Sequence, residues 1–341
     1  MQPITILVSA CGAPGTAALL RALRSNGERE VRLVGADMSA EPVGKHLCDA
    51  FHRVPPGSDP GFADAMLEAC RAEGVDVVLP QSSFDLLGLA EAKSRFSAAV
   101  MVSSPEAIRR SNDKAESYAM LDAIGVKGPE WRRAAGEEEV AAAARELGYP
   151  DRELALKPVF SSGTRGFRIL SASADRREQL LTNRPGVPEA MRLEDLIEVL
   201  GDDRTELLVM ERAEGKERTI DGIAEGGRVV LGHPKTREAM RAGLAMYFEA
   251  LDDSGLMEVA ARIVAELELD HFFNIQLVGE HVIEVNPRIS TIVYQEDLNL
   301  PYVGVKHALG EISAEELAGY AERIRPTRRA LRYFDQLEWD E

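Results

Sequence analysis

The 341-residue sequence predicts an α/β protein that begins with a doubly wound parallel sheet. In the first third of the chain, apolar runs of strand length alternate with stretches of helical periodicity. Strands that alternate with helices form parallel sheets through right-handed crossovers. The length adds a second constraint. A single hydrophobic core stops growing at about 250–300 residues, so two or three domains are expected.

The first domain is assigned to residues 1–110, where each expected strand is an apolar run bounded by turn residues. Strands are expected at 4–10, 31–37, 75–80 and 100–103, and helices at 16–25, 62–73 and 86–93. The glycine-rich loop Cys11–Gly15 follows the first strand but lacks the G-x-G-x-x-G spacing of a dinucleotide-binding turn. A dehydrogenase that binds NAD on this domain is therefore disfavoured.

The rest of the chain is divided into a central part, 111–206, and a C-terminal part, 207–341. The central part is expected to be an α+β unit with helices at 112–124, 137–147 and 192–199 and a hairpin formed by 154–158 and 167–170. In the C-terminal part we expect strands at 207–212, 219–224 and 228–231, a helix at 255–267, a hairpin formed by 274–278 and 281–285, and a helical remainder ending in 312–321.

Composition and charge exclude several classes of protein. Lys and Arg total 40 and Asp and Glu total 57, which gives a net charge of −17 and excludes a nucleic-acid binder held by general charge. The first apolar run, 4–11, is far shorter than the roughly 18–20 residues of a spanning helix, and no basic stretch precedes it. The three cysteines form no C-x-x-C pattern, which indicates a reducing compartment. We therefore expect a cytoplasmic protein without nucleic-acid or membrane partners.

The most informative stretch is FFNIQLVGEHVIEVNPRIST, residues 272–291. Side chains alternate across a strand, so Glu284 and Asn286 are expected on one face. A turn at 279–281 would place Val278 opposite Val282 and Gln276 opposite Glu284. The alternative is a solvated surface hairpin, which the apolar residues on either side of these positions disfavour.

Gln276, Glu284 and Asn286 would then form one oxygen-rich patch. Hard oxygen donors of this kind suit Mg²⁺, which usually takes one or two carboxylates together with substrate phosphates. Arg288 lies two residues beyond Asn286 on the same face. A guanidinium at that position can stabilise negative charge on a phosphoryl group during its transfer.

A second indication comes from Lys157 in LALKPVFSSGTRGF, residues 154–167. A lysine inside an apolar strand needs an anionic partner, because burying an isolated charge is costly. The hairpin tip that follows contains Ser161, Ser162 and Gly163, and backbone N–H groups of such a loop can hold phosphate oxygens. The chain has no G-x-x-x-x-G-K-[ST] pattern, so this is not a P-loop.

Two further features are weak when taken alone. The segment VMERAEGKERTID, residues 209–221, carries Glu211 and Glu217 near strand ends, where a carboxylate can accept hydrogen bonds from ribose hydroxyls. Lys114 stands alone at the expected start of a helix. For each of them, a solvated charged loop or helix end is the favoured interpretation by itself.

In combination, these segments resemble the ATP-grasp superfamily, and specifically ligases like one half of the carbamoyl-phosphate synthetase large chain. The matching segments in order are SNDK (111–114), LALKPVFSSGTRGF (154–167), VMERAEGKERTID (209–221), and NIQ (274–276) with VIEVNPRIS (282–290). The resemblance covers roughly residues 4–310. It implies three α/β parts, with ATP between the central lid domain and the C-terminal domain.

The resemblance also implies a role for each matching residue. Contacts to ATP are implied for Lys114 and Lys157 at the phosphates and adenine, Ser161, Ser162 and Gly163 in the lid loop, Glu211 at the adenine edge, and Glu217 at the ribose. Magnesium ligands are implied at Gln276, Glu284 and Asn286, and catalytic roles at Arg288 and Lys157. The implied cofactors are ATP and Mg²⁺, with Mn²⁺ as an alternative metal.

The sequence departs from its relatives in ways that affect the predicted chemistry. It has one grasp unit and no glutaminase motif, and neither the basic residues that follow NPR in carbamoyl-phosphate synthetases nor the NPRLQVEH-like run of biotin carboxylases. We therefore predict an ATP-dependent carboxylate–amine ligase that forms an acylphosphate, acting on an amino acid or similar small molecule. A carbamoyl-phosphate-type enzyme that activates bicarbonate and a non-catalytic ATP-binding sensor remain as alternatives, and a sensor has no need of Arg288.

The pocket for the carboxylate and amine substrates is expected near Arg288, where the γ-phosphoryl group would be transferred. The segment 294–302, which begins at Tyr294, would line this pocket and suits an ammonium or hydroxyl group. Arg237 and Arg241 would share a face if their segment were helical, and arginine binds carboxylates in a fork. The alternative is a solvated loop whose charges bind nothing. A homodimer is compatible with the sequence.

Overall fold

The structure is a computed structural model that describes residues 1–160, 166–182, 189–241, 244–290 and 298–339. Helices α1 to α12 span Thr16–Arg24, Val43–Leu47, Phe62–Glu73, Ser83–Glu91, Pro105–Asn112, Lys114–Ala123, Gly136–Glu146, Arg176–Thr182, Leu193–Leu200, Ser254–Glu266, Leu300–Ala308 and Ala314–Gly319. Strands β1 to β16 span Ile4–Ser9, Val31–Asp37, Ala50–Arg53, Val77–Pro80, Ala99–Val100, Trp131–Ala135, Leu154–Pro158, Arg168–Leu170, Glu189–Met191, Glu206–Glu211, Glu217–Glu225, Arg228–Thr236, Tyr247–Glu249, His271–Val278, His281–Asn286 and Arg329–Leu331.

The first sheet is parallel throughout and has the strand order β3-β2-β1-β4-β5, which confirms the predicted doubly wound parallel sheet. The short strand β3 and helix α2 were not predicted, because residues 38–53 contain no apolar run long enough to stand out. The strand order reverses between β1 and β4. In open parallel sheets, ligands bind outside the carboxyl ends of the strands at such a switch point.

The second sheet has the order β6-β10-β7-β8-β9, and β7 and β8 form the predicted antiparallel hairpin. Strand β10 lies between β6 and β7, so Glu206–Glu211 belongs to this sheet. The division of the chain into 1–110, 111–206 and 207–341 stays a prediction, and its second boundary runs through β10.

The helix expected at 112–124 is present as α6, which begins two residues later because Asp113 is its N-cap, and Asn112 instead ends α5. The Asp113 carboxylate accepts hydrogen bonds from the backbone N–H groups of Ala115 at 2.8 Å and Glu116 at 3.0 Å, and it thereby caps the N-terminus of α6. This cap places Lys114 at the first helical position, where its side chain is buried.

The third sheet is antiparallel, with the order β12-β11-β14-β15. One of its faces is apolar, since Ile220, Ile275 and Leu277 pack in the same core as Ala260 and Ile263 of α10. Because side chains alternate along a strand, the residues between these positions form a polar face on the other side.

The chain after residue 298 was expected to be helical, and this expectation is wrong for its last part. Strand β16 pairs with β13 in a small fourth sheet. Within the described ranges, no helix is long and apolar enough to cross a membrane.

Candidate active site

The β14–β15 hairpin brings the predicted polar residues together. Gln276 faces Glu284 and Asn274 faces Asn286, as the alternation of side chains predicted for the first pair. The expected pairing of Val278 with Val282 is wrong, because Val278 faces His281 across a tighter turn. One additional residue on β15, at Ile283, restores the register beyond the turn and forms a β-bulge.

The bulge helps to position Lys157. The extra residue of a bulge does not pair with the neighbouring strand. The Ile283 carbonyl instead accepts hydrogen bonds from Tyr118 Oη at 2.9 Å and Lys157 Nζ at 3.3 Å. Lys157 Nζ also donates to Tyr118 Oη at 2.8 Å and lies 5.0 Å from the centre of the Tyr118 ring. These contacts hold the ammonium group at the edge of the third sheet.

Both lysines predicted to bind ATP, Lys114 and Lys157, lie at this edge, and the pKa of each is lowered. Burial lowers the pKa of Lys157 to about 8, although the nearby Glu284 carboxylate raises it. Burial also lowers the pKa of Lys114 to about 8, and Lys157 lowers it further while Glu284 opposes the shift. The Lys114 ammonium contacts the Val159 carbonyl at 3.5 Å. Two neighbouring ammonium groups with lowered pKa values form an environment that a polyanion would stabilise.

The amide oxygens of the hairpin are oriented by a buried asparagine. Gln276 Nε2 donates to Asn274 Oδ1 at 2.9 Å, and Asn286 Nδ2 donates to the same oxygen at 3.3 Å. The oxygen atoms of Gln276 and Asn286 are therefore turned away from Asn274. The Gln276 oxygen accepts a hydrogen bond from the Arg237 guanidinium, and an amide oxygen retains a second lone pair.

The donor set fits magnesium delivered with phosphates. It comprises the Glu284 carboxylate and the amide oxygens of Gln276 and Asn286, all of which are hard oxygen donors. Among the residues that the structure describes, no group of three or more His, Cys, Asp or Glu side chains could hold a metal ion by itself. A site with one carboxylate suits Mg²⁺, because this ion typically takes few protein ligands and completes its shell with phosphates and water.

Arg288 joins the hairpin to the first domain. Its Nε donates to Ser83 Oγ at 3.0 Å, and its guanidinium contacts Asn286 Oδ1 at 3.5 Å. Nearby, Asp85 accepts a hydrogen bond from Ser9 Oγ at 2.6 Å. Burial raises the pKa of Asp85 to about 6, while Ser9 and Arg288 lower it. The switch point of the parallel sheet thus lies beside Arg288.

This contact between Arg288 and Ser83 was not predicted from the sequence. Helix α4 was expected to begin at Leu86, whereas it begins at Ser83. Ser82 caps the helix by accepting the Phe84 backbone N–H at 3.2 Å. The pattern Ser82-x-x-Asp85 is a helix-start signal that would have placed Ser83 and Asp85 in the first turn.

The predicted adenine and ribose carboxylates lie at neighbouring strand ends. Glu211 closes β10, where its carboxylate accepts hydrogen bonds from Arg152 at 3.2 Å and from the Glu130 backbone N–H at 3.3 Å. Glu217 opens β11 and lies 4.0 Å from Arg237 Nε. Glu217 is therefore connected through Arg237 to Gln276, whereas Glu211 lies 3.7 Å from His281 Nε2 at the start of β15.

The two arginines predicted to bind substrate are not on one helix. Arg237 directly follows β12 and is buried beside Gln276. Arg241 forms an isolated bridge with Leu244, and its guanidinium lies 4.7 Å from the centre of the Phe334 ring. The condition that would have placed both on a helical face is not met, because this segment is extended and bridged. Ser161, Ser162, Gly163 and Tyr294 lie outside the described residues.

A cavity of about 610 Å³ opens beside the hairpin. Lys114, Glu284 and Asn286 line one side of it, and Gly57 and Leu87 of the first domain line another. A molecule in this cavity would contact both the predicted phosphate-binding groups and the first domain.

Comparisons with known proteins agree with this architecture. A family described as ATP-grasp in the biosynthetic pathway with Ter operon matches residues 203–328. The arginine-specific large chain of carbamoyl phosphate synthase from Bacillus subtilis (strain 168) is 25% identical over 250 residues, which cover 69% of this chain and 22% of that protein. The chain thus spans about a fifth of the length of this curated relative.

Two solved structures share the fold, each with a TM-score of 0.66 and 16% identity. The L-amino acid ligase from Bacillus licheniformis covers 96% of this chain, which in turn covers 78% of that protein. The biotin carboxylase domain dimer of Hydrogenobacter thermophilus 2-oxoglutarate carboxylase, in complex with MgADP, ADP and bicarbonate, covers 91% of this chain and is covered to 70%. At this level of identity, the similarity shows the fold alone.

Proposed function

This chain has the ATP-grasp fold, and we propose that it is an ATP-dependent carboxylate–amine ligase. One observation carries the proposal. Lys114 and Lys157, whose pKa values burial lowers to about 8, lie beside a patch made of Glu284, Gln276 and Asn286. Cations beside hard oxygen donors form a suitable site for a metal–triphosphate complex.

Each residue of the site has a distinct task in this proposal. Lys114 and Lys157 bind phosphate oxygens, and their lowered pKa values rise when the anion arrives. Glu284, Gln276 and Asn286 would hold Mg²⁺, which when bound offsets the charge of the β- and γ-phosphates. Arg288 stabilises the phosphoryl group during transfer. Glu211 and Glu217 are proposed to bind the adenosine, with Ser161, Ser162 and Gly163 as the lid loop.

The chemistry requires activation of a carboxylate. A carboxylate is a poor acyl donor because its leaving group would be oxide. Transfer of the γ-phosphoryl group of ATP to one carboxylate oxygen breaks the phosphoanhydride bond between the β- and γ-phosphates, releases ADP and gives an acylphosphate. An amine then attacks the acyl carbon, a proton leaves the nitrogen, and phosphate departs. Positioning and charge stabilisation supply most of the rate enhancement in reactions of this kind.

The substrates are proposed to be an amino acid or similar small carboxylate and an amine, bound near Arg288. Arg237 supports this assignment because it is buried beside Gln276, within the same cluster. Arg241 and Tyr294 are retained as proposed specificity residues. Mn²⁺ is proposed as an alternative metal and a homodimer as an alternative assembly, since one structure of this fold is a domain dimer.

A phosphate-release assay tests the proposal. The protein is incubated with Mg-ATP and with panels of carboxylates and amines, and inorganic phosphate is measured. The ligase predicts release that depends on a carboxylate and increases with an amine. A bicarbonate-activating enzyme would release phosphate with bicarbonate alone. A sensor would bind Mg-ATP without releasing phosphate under any condition.

A further inference from the structure

A buried ion pair lies on the polar face of the third sheet. Lys235 of β12 and Asp221 of β11 form a bond of 2.8 Å between Lys235 Nζ and Asp221 Oδ2, and their side chains are 0% and 2% exposed. His233 faces Asp221 across the same two strands. Burial and the neighbouring Lys235 hold the pKa of His233 far below its usual range, so His233 is neutral. Lys235 is therefore the cation that balances Asp221 among these groups.

The ion pair continues into Asn274, whose hydrogen-bonding capacity is fully used. Asn274 Nδ2 donates to Asp221 Oδ1 at 2.9 Å and to Thr219 Oγ1 at 2.6 Å. Its Oδ1 accepts from Gln276 Nε2 at 2.9 Å and from Asn286 Nδ2 at 3.3 Å. An asparagine amide offers two donor hydrogens and two acceptor lone pairs, so all four are satisfied here.

This chain of contacts fixes the orientation of three amides. An ionised carboxylate accepts hydrogen bonds and donates none, so Asp221 requires the NH₂ group of Asn274 to face it. Asn274 must then present its oxygen to Gln276 and Asn286. Both of these residues turn their NH₂ groups toward Asn274, which leaves the Gln276 oxygen facing Arg237 and the Asn286 oxygen facing Arg288. The bond to Asp221 is the stronger constraint on Asn274 because its acceptor is ionised.

We propose that Lys235 and Asp221 are positioning residues that set the amide oxygens of Gln276 and Asn286 as metal ligands. The inference rests on the proposed function, because it assigns a purpose to the orientation of those oxygens. Lys235 pairs with Asp221 at 2.8 Å, Asp221 orients Asn274, and Asn274 orients both amides. Partners of metal ligands commonly change metal affinity by about 10- to 100-fold when they are replaced.

The test must separate positioning from simple stability. Removing Lys235 alone would leave a buried carboxylate without its cation and destabilise the fold. The double variant Lys235→Met with Asp221→Asn removes both charges together and retains the shapes of the side chains. The asparagine introduced at 221 presents either an oxygen or an NH₂ group, so it no longer dictates the orientation of Asn274.

The matched control is Lys306→Met with Glu28→Gln. Lys306 Nζ lies 2.7 Å from Glu28 Oε2, and the pair joins α11 to the loop before β2, away from the hairpin. The affinity for ADP is measured by calorimetry with and without Mg²⁺, and the melting temperature of each variant is recorded. We expect the gain in ADP affinity from Mg²⁺ to fall about tenfold or more in the Lys235/Asp221 variant. Affinity for ADP alone and the melting temperature should stay near those of the wild type, and the control should keep the full gain.

Each contrary outcome has a clear meaning. If Mg²⁺ increases the ADP affinity of the Lys235/Asp221 variant as much as that of the wild type, the positioning role is overturned. An equal loss with and without Mg²⁺, or a loss of the gain in the control, assigns the pair to general stability and overturns it as well. If the wild type binds no ADP under either condition, the proposed function fails and this inference fails with it. That result appears in the wild type and is thereby distinguished from the others.

Discussion

Two lysines lie on either side of the candidate site, Lys235 fully buried and Lys157 partly buried, and their hydrogen-bond partners differ in charge. In the floor of the site, defined by Lys235, Asp221 and Asn274, the ammonium group has a carboxylate at 2.8 Å. At the lysine edge, defined by Lys114, Lys157 and Tyr118, the ammonium of Lys157 donates to the neutral oxygens of Tyr118 and Ile283. Glu284 acts on Lys157 through space rather than by a hydrogen bond.

The difference indicates which charge serves the fold and which serves a ligand. The charge of Lys235 is balanced within the protein, so its removal leaves Asp221 without compensation. The charge of Lys157 is only partly balanced, and burial lowers its pKa to about 8. A buried cation without a bonded carboxylate costs folding free energy, and an incoming phosphate would recover that cost. This contrast leads to the following predictions.

The largest expected effect is on stability. Lys235→Met should lower the free energy of unfolding by about 3–5 kcal/mol, because it leaves a buried carboxylate unpaired. Lys157→Met should change it by less than about 1 kcal/mol or raise it, because the variant no longer buries an imperfectly balanced charge. Denaturant unfolding of both variants measures the difference. Equal losses in the two variants would contradict the distinction between the floor and the lysine edge.

The next effect concerns turnover. Glu284→Gln should reduce phosphate release by about 100-fold or more while leaving the melting temperature near that of the wild type, because charge at the phosphates is no longer offset. Glu280→Gln, in the turn of the same hairpin, is the control. Glu280 is 80% exposed and pairs only with the exposed Lys127 among the described residues, so its replacement should leave turnover unchanged. Near-normal turnover in Glu284→Gln would exclude the metal assignment.

These predictions also mark how far the sequence determined the site. Alternation along β14 and β15 predicted that Gln276 faces Glu284, because a period of two is independent of the rest of the fold. The bulge at Ile283 was not predictable, since it depends on a turn whose length the sequence left open. The register error beside the turn has the same origin.

The floor of the site was missed for a different reason. Strand β12 was expected to end at Leu231, because Gly232 and Pro234 interrupt the apolar run. The strand continues to Thr236, since β12 is an edge strand of its sheet and an edge tolerates proline. The place of Lys235 in strand β12, beside Asp221, could therefore be recognised only once the order of the strands in the sheet was known. The parallel sheet at the start of the chain was predicted because its strands β1, β2 and β4 are buried apolar runs.

A smaller effect is expected from pH. A bound polyphosphate favours the charged forms of Lys114 and Lys157, so it raises their pKa values above about 8. Binding near pH 8 must then take up protons, and the affinity for ADP should fall as pH rises from about 7 to 9. Calorimetry in buffers of different ionisation enthalpy measures the uptake. Proton release on binding, or no exchange at pH 8, would disagree with the proposed role of the lysine edge.

The smallest effect is expected at Tyr118. Tyr118→Phe keeps the ring beneath Lys157 but removes the hydroxyl that accepts from its ammonium group at 2.8 Å. We expect the KM for ATP to rise by about 3- to 10-fold, in line with the loss of one hydrogen bond to a charged group, and kcat to change less. Steady-state kinetics at pH 7 checks this. A fall in kcat at unchanged KM would assign Tyr118 to the chemical step instead.

The central claim, that the site activates a carboxylate by phosphoryl transfer, is tested most directly by oxygen labelling. A carboxylate substrate that supports phosphate release is prepared with ¹⁸O in both carboxylate oxygens, and the inorganic phosphate formed with Mg-ATP and an amine is analysed by mass spectrometry. An acylphosphate route transfers one ¹⁸O atom from the carboxylate to each phosphate released. Phosphate without ¹⁸O, in a reaction that still forms the amide product, would contradict the account.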